Sequence, residues 1–243
     1  MAAPRFFCPD GLAAGATIDL PESVAHYAAR VLRLKDGAAL TLFDGQGGEY
    51  PATLFLQGKR AGAIVGPHLA RDVELGGEIT LVQGLPSGDK MDWIIEKASE
   101  LGVQRVVPIA AERSVLQLSG ARLDKRQAHW QRVAESAAEQ CGRNRILDVT
   151  PLQTLGAWLG QPASGVRLLC HPALAQPLRA ALPAGARHLS LLIGPEGGWS
   201  EAELKIAQAS PAVQPVRWGE RVMRTETAGV AMSAACIALL DWA

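Results

Sequence analysis

Three short strings in the C-terminal half combine groups that bind or polarise a ligand. The densest is Trp218-Gly219-Glu220-Arg221-Val222-Met223-Arg224-Thr225-Glu226-Thr227. Arg221 and Arg224 offer flat, permanently charged forks for phosphate, carboxylate or a carbonyl oxygen, and Glu226 beside them is a candidate proton acceptor. The bland alternative is a structural ion pair with Thr225 or Thr227 capping the next helix. Against it, charges set between two buried elements are costly to hold without a partner. The second string, Gly194-Pro195-Glu196-Gly197-Gly198, lets backbone N–H and C=O groups come close to a ligand, as recognition of an adenine edge requires. It also reads as ordinary turn chemistry. In the third, Cys170-His171-Pro172, His171 is either a base or a hydrogen-bonded structural imidazole.

The familiar signatures of other chemistries are missing. The second string is not G-x-G-x-x-G, and the chain has no G-x-x-x-x-G-K-[ST], no G-x-S-x-G and no H-E-x-x-H, which argues against P-loop nucleotide hydrolysis and the common hydrolases. His26, His68, His129 and His188 form no cluster, and Cys8, Cys141, Cys170 and Cys236 form no C-x-x-C. No metal site and no disulfide framework are expected.

All three strings follow apolar runs that read as strands: Val166–Leu169, Leu189–Ile193 and Val213–Trp218. Ligands of open α/β sheets bind beyond the carboxyl ends of strands. The surrounding pattern is strand–helix alternation from about residue 73. Ile79–Val82 and Arg105–Ile109 are further strands; a helix capped by Asp89 runs to Leu101 and stops at Gly102; a long helix covers Leu123–Cys141; Ser200-Glu201-Ala202-Glu203 is a capping box; Thr225–Leu240 is a buried last helix. This predicts a mainly parallel α/β sheet. Trp93, Trp130, Trp158 and Trp242 read as packing residues on helices, while Trp199 and Trp218 belong to the candidate site.

Residues 1–72 have another texture. Ala39–Phe43, Tyr50–Leu56 and Ala61–Val65 alternate as short strands around Asp44-Gly45-Gln46-Gly47-Gly48, and a helix is predicted at Glu22–Leu32. Such spacing suggests a small barrel, with Arg71–Gly77 as linker. Arg5, Arg30, Arg33 and Lys35 are its densest cations. Arg30 and Arg33 share a helix face if the helix reaches that far. With Phe6, Phe7, His26 and Tyr27 nearby, they form either an RNA-backbone surface with stacking groups or a solvated face. Arg143 and Arg145 are a second candidate patch.

Composition bounds these readings. The 243 residues are 48% hydrophobic, with 24 Lys+Arg against 24 Asp+Glu, a folded chain rather than a disordered tail. Zero formal charge excludes a generally basic coat for nucleic acid or membrane but leaves room for a local patch. Arg outnumbers Lys 18 to 6, reflecting either a GC-rich genome or a use for bidentate cations. Met1–Asp10 contains Arg5 but no apolar h-region, so no signal peptide is expected, and the longest apolar stretch, Ala228–Leu240, is shorter than the roughly 20 residues a bilayer needs. A cytoplasmic protein is expected.

Gly194–Gly198 with Ser200, and then Arg221-Val222-Met223-Arg224-Thr225-Glu226-Thr227-Ala228, resemble the two end motifs of the RsmE family of SPOUT-superfamily RNA methyltransferases. Arg30-Val31-Leu32-Arg33-Leu34, Leu42-Phe43-Asp44-Gly45, Gly88-Asp89-Lys90-Met91, Glu96–Val103, Glu112-Arg113 and Glu139–Asn144 resemble the family in order along the chain. The resemblance implies a PUA-like RNA-binding barrel in residues 1–72 and a SPOUT α/β domain with a trefoil knot in residues 73–243. It implies S-adenosyl-L-methionine as methyl donor, no metal, a homodimer with its site near the interface, and 16S ribosomal RNA or the small subunit as partner. The implied reaction is methylation of uridine N3. Arg221, Arg224 and Glu226 would be catalytic, the arginines stabilising charge on the carbonyls flanking N3, with Glu226 or Glu196 as a possible proton acceptor. Cys170, His171, Ile193, Gly194, Gly197, Trp218, Gly219, Met223 and Arg224 would contact the methyl donor, and Arg5, Arg30 and Arg33 the RNA. Another RNA target, or a non-catalytic assembly protein on the same scaffold, are the rival readings. Glu220 stands where the family often has Pro, a change expected to loosen the turn, and Met223 replaces a common Leu.

Overall fold

Period-two alternation sets the N-terminal strands. In Tyr50–Gln57 (β4) Ala52 and Leu54 point into the core while Pro51 and Thr53 face out, as the pleat requires. The computed structural model describes residues 3–58, 60–172 and 176–243. In order before residue 70 come Arg5–Phe7 (β1), Thr17–Asp19 (β2), Glu22–His26 (α1), Ala39–Phe43 (β3), β4 and Arg60–Val65 (β5). They form one five-stranded sheet, β1-β3-β4-β5-β2, antiparallel except for β1 beside β3. Phe6, Leu20, Val24, Ala28, Leu40, Leu42, Leu54 and Val65 make its core.

The helix predicted at Glu22–Leu32 changes form midway. After α1 the chain winds as a π-helical turn over Tyr27–Val31. Arg33 lies beyond that turn in the left-handed region at φ 52°, which non-glycine residues seldom occupy. Arg30 and Arg33 are both exposed, but they do not share a helix face.

By its packing the chain divides into two units. One is the chain up to Glu74 together with Ala138–Ile146; the other is Leu75–Ala137 with Leu147–Ala243. Within the first, Arg143 is buried and its guanidinium donates to both carboxylate oxygens of Glu74. It is therefore a structural cation and not half of an exposed patch with Arg145.

The second unit is built on seven strands, all paired parallel: Glu78–Gly84 (β6), Arg105–Ile109 (β7), Asp148–Val149 (β8), Val166–Cys170 (β9), Gln176–Pro177 (β10), His188–Ile193 (β11) and Val213–Arg217 (β12), in the order β10-β12-β9-β11-β6-β7-β8. Near-continuous apolar runs such as Leu189–Ile193 fit a sheet covered on both faces. Its helices are Lys90–Glu100 (α2), Gly120–Cys141 (α3) up to Ala137, Leu155–Leu159 (α4), Leu178–Ala181 (α5), Glu201–Ala209 (α6) and Thr225–Leu239 (α7). The capping box opens α6 as predicted: Ser200 Oγ accepts from Glu203 N, and Glu203 returns the bond to Ser200 N. Asp89 stands at the start of α2 but caps nothing; its carboxylate accepts from Arg126. Gly102 follows α2 at φ 80°, the left-handed helix stop expected of it. α7 sits on the sheet because Gly229 lacks a Cβ, which would meet Leu81 of β6 at 3.0 Å. Trp130, Trp158 and Trp242 are buried as expected, whereas Trp93 is 42% exposed. Arg167, on β9, is buried, stacks on Trp158 and donates to the carbonyls of Leu159, Gln161 and Pro162, so its charge meets carbonyl dipoles rather than an anion.

Candidate functional site

The strand order explains why three strings separated by up to 48 residues meet. β12, β9 and β11 are adjacent and parallel, so their carboxyl ends, Arg217, Cys170 and Ile193, open on the same edge of the sheet. The loops that follow surround a cavity of about 510 Å³, within the usual range for a small-molecule site. Cys170, His171, Ile193, Gly194, Gly197, Trp218, Gly219, Met223 and Arg224 all line it, and so does Arg221. Glu226 does not; it lies one residue into α7.

The walls combine apolar side chains with bare backbone. Ile193, Val216, Met223 and Met232 supply the apolar part. Gly194 and Gly197 cannot carry side chains cheaply: a Cβ on Gly194 would lie 3.2 Å from the Gly198 backbone and Trp199 N, and one on Gly197 would lie 3.0 Å from Arg113 Cβ. Gly219 turns at φ 70°. Such a cradle suits a flat heterocycle read by backbone groups, with a polarisable tail against methionine sulfur. Cys170 is no nucleophile. Burial, reinforced by the neighbouring Cys236, pushes its thiol far up, and burial pushes Cys236 up to about 12, so both remain neutral packing groups. His171 N donates to Val216 O at 2.9 Å, tying the start of the loop after β9 to strand β12.

The polar edge is built from partners distant in sequence. Glu196 Oε1 accepts from Lys90 Nζ at 2.6 Å and from Ser87 Oγ at 2.7 Å, and both its oxygens take bonds from Ser87 N. Burial alone would raise this carboxyl, but the donors from Lys90 and Ser87 outweigh it and hold it at about 2. A carboxylate so stabilised is a poor proton acceptor, which removes Glu196 as the base. Lys90 Nζ is also 3.9 Å from Glu226 Oε2, an oxygen shielded from solvent without a hydrogen bond. Arg221 and Arg224 are exposed at the rim, and no ion pair to either is recorded among the described residues. Glu220 accepts from Arg217 at 2.7 Å, so the residue expected to loosen the turn is tied into it.

Underneath, buried Gln83 of β6 donates to Thr225 Oγ1 at 2.9 Å, and Thr225 Oγ1 donates to Gly194 O at 2.6 Å. Thr225, which with Thr227 is one of two residues that could cap α7, makes no side-chain cap bond; its hydroxyl couples two pocket loops. Ser87, Lys90, Gln83 and Arg113, whose Nη1 donates to Gly197 O, carry no catalytic spacing of their own. The only signal for two of them was membership of the strings Gly88–Met91 and Glu112-Arg113. No group of three or more metal-ligating side chains is gathered among the described residues.

The N-terminal candidates separate. Arg5 is largely buried, pairing with Glu49, donating to Asn144 Oδ1 at 2.6 Å and lying 5.0 Å over the Phe43 ring. Two of its three guanidinium nitrogens are thus committed inside its own unit, while Arg30 and Arg33 present theirs to solvent.

Comparison with known proteins fits this geometry. Residues 73–237 match the RNA methyltransferase domain family, and residues 20–61 the RNA methyltransferase PUA domain. The ribosomal RNA small subunit methyltransferase E of Synechocystis is 33% identical over 93% of this chain and 74% of its own length. That of Bacillus subtilis is 31% identical over 87% and 86%. A crystal structure of the enzyme of the same name from Neisseria gonorrhoeae, bound to S-adenosyl methionine, superposes with a TM-score of 0.90 at 36% identity, covering 98% of each chain. The chain therefore belongs to the ribosomal RNA small subunit methyltransferase E family, RsmE.

Proposed function

We propose that the protein methylates N3 of a specific uridine in 16S ribosomal RNA, with S-adenosylmethionine as methyl donor, and that it works as a homodimer. The observation that carries this reading is the convergence of three strand-end loops, two of them glycine-bearing, on one cavity with two uncommitted arginines at its rim. The donor supplies an electrophilic methyl group on a sulfonium. Cys170, His171, Ile193, Gly194, Gly197, Trp218, Gly219, Met223 and Arg224 would hold it, the glycine loops offering backbone groups to its adenine.

The protein's task at the other substrate is electrostatic. Uridine N3 carries a proton at neutral pH and becomes nucleophilic as that proton leaves. Negative charge then gathers on the two flanking carbonyl oxygens. Arg221 and Arg224, exposed where they line the cavity, would meet it, a role in which one lost donor commonly costs about 10²-fold or more in rate. Glu226 or solvent receives the proton, with Lys90 beside Glu226. Because N3 is on the Watson–Crick edge, the base must be unpaired to react, and Arg30 and Arg33 on the N-terminal unit would help hold the flanking RNA.

Deleting the gene and analysing nucleosides of small-subunit RNA by mass spectrometry tests the reading. One N3-methyluridine should disappear and return on complementation. The Arg221→Ala and Arg224→Ala variants should restore it poorly, with single-turnover rates lowered about 10²-fold. Small-subunit RNA that keeps its N3-methyluridine after deletion would overturn the target, and no binding of S-adenosylmethionine by calorimetry would overturn the methyltransferase reading altogether.

A further inference from the structure

We infer that one face of α3 is a track for the sugar-phosphate backbone of substrate RNA leading to the pocket. The inference rests on the RNA methyltransferase reading above and adds a surface to it. Arg122, Lys125, Arg126 and His129, at helix spacings that place them on one face, line a shallow groove of about 500 Å³. Two of the four are matched by carboxylates of the segment that opens α2: Arg126 donates to Asp89 and His129 pairs with Asp92, each at 2.6 Å. Arg122 and Lys125 are exposed, and no ion pair to either is recorded among the described residues. Asp124, two residues from Arg122, lies on another face of the helix. The first turn of α3 holds no acidic residue.

The groove is joined to the pocket by three consecutive residues. Arg126 Nη2 donates to Gly88 O at 3.3 Å and to Asp89. Lys90, the next residue, bonds Glu196 at the pocket wall and lies 3.9 Å from Glu226. Arg126 thereby braces the Gly88–Lys90 turn while Arg122 and Lys125 keep uncompensated charge one turn further out. An RNA strand whose target base enters the pocket would find its phosphates met by these two cations. Phosphate contacts of this kind set register and affinity rather than sequence. The arrangement favours RNA over an acidic protein because the cations line an open groove leading to the site where a nucleotide must sit.

The test compares the wild type with the double variant Arg122→Ala/Lys125→Ala, using an in vitro 16S RNA transcript and, separately, small subunits from the deletion strain. Affinity for the transcript should fall at least tenfold at low salt. The slope of log affinity against log salt should shrink by about 1.4, from ~0.7 per phosphate contact on single strands. The affinity for S-adenosylmethionine, measured by calorimetry, should not change, which shows that the fold and pocket survive. Unchanged RNA affinity and salt slope, with a wild type that methylates, would overturn this surface alone. A loss of binding to small subunits but not to the transcript would overturn it in favour of a protein contact. A wild type with no RNA affinity would overturn both this inference and the reading beneath it.

Discussion

Glu196 illustrates how a residue's chemistry can invert between sequence and structure. In Gly194-Pro195-Glu196-Gly197-Gly198 it is the one ionisable group in a ligand-facing turn, and its type permits a base. Its environment does the opposite: Lys90 and Ser87 bind both oxygens of the carboxylate and depress it to about 2. Because the folded pKa lies below the unfolded value, near 4.3, Glu196 contributes stability that is fully present above that value and is lost as pH falls toward 2. The stability difference between wild type and Glu196→Gln should therefore be about 1 kcal/mol or more at pH 7, the scale of hydrogen bonds to a charged group. It should shrink through pH 4 and vanish near pH 2. Urea unfolding at a series of pH values measures it, and a difference constant down to pH 2.5 would mean the carboxylate is not held as described. Nothing in the local sequence announces this role, since Ser87 and Lys90 lie more than 100 residues earlier.

At the level of elements, the site depends on β6 and α7 being locked to the second loop through Gln83, Thr225 and Gly194. Thr225→Val removes the hydroxyl and leaves the Gln83 amide and the Gly194 carbonyl without these partners in a buried setting, at a cost of about 1–3 kcal/mol each way of counting. It should lower thermal stability and weaken S-adenosylmethionine binding together, because the Gly194 carbonyl is released. Thr225→Ser keeps the hydroxyl and should recover both; a valine variant with undiminished donor affinity would show that the coupling does not shape the pocket. The elements themselves were mostly legible. Ala39–Phe43 and Arg105–Ile109 are found with the predicted bounds, and the capping box at Ser200 forms as written. Those missed are short: β1, β2, β8, β10, α4 and α5 have two to five residues each, too few for a period to show. The π turn at Tyr27–Val31 escaped for another reason, as its apolar spacing is that of any helix. The convergence of the three loops could be anticipated from their place after strands, but their adjacency depends on the strand order, which only long-range pairing fixes.

For the whole molecule, a balance of 24 cations and 24 anions requires that function rest on placement. Arg5 and Arg143 are consumed by Glu49 and Glu74, so free cations are fewer than composition suggests. Apolar surface is similarly local. On α7, Thr227, Val230, Ala231, Ala234 and Ala238 recur at helical spacing on the side away from the sheet, all partly or fully exposed. Val222 is 78% and Trp218 43% exposed close by in the chain. A stripe of small and apolar residues on a surface helix, adjoining exposed large side chains, is expected to be covered by another protein surface. A second copy of the chain would bring the same stripe, making a self-complementary two-fold contact. Ala234→Glu places a charge at the centre of that stripe. Light scattering on the wild type should give twice the chain mass and the variant a single chain. The variant should also bind S-adenosylmethionine more weakly, because Trp218 and Val222 of the pocket rim lose their cover. Arg30→Ala, on the other unit, should leave the mass unchanged. If the Ala234→Glu protein remains a dimer, α7 is not the contact.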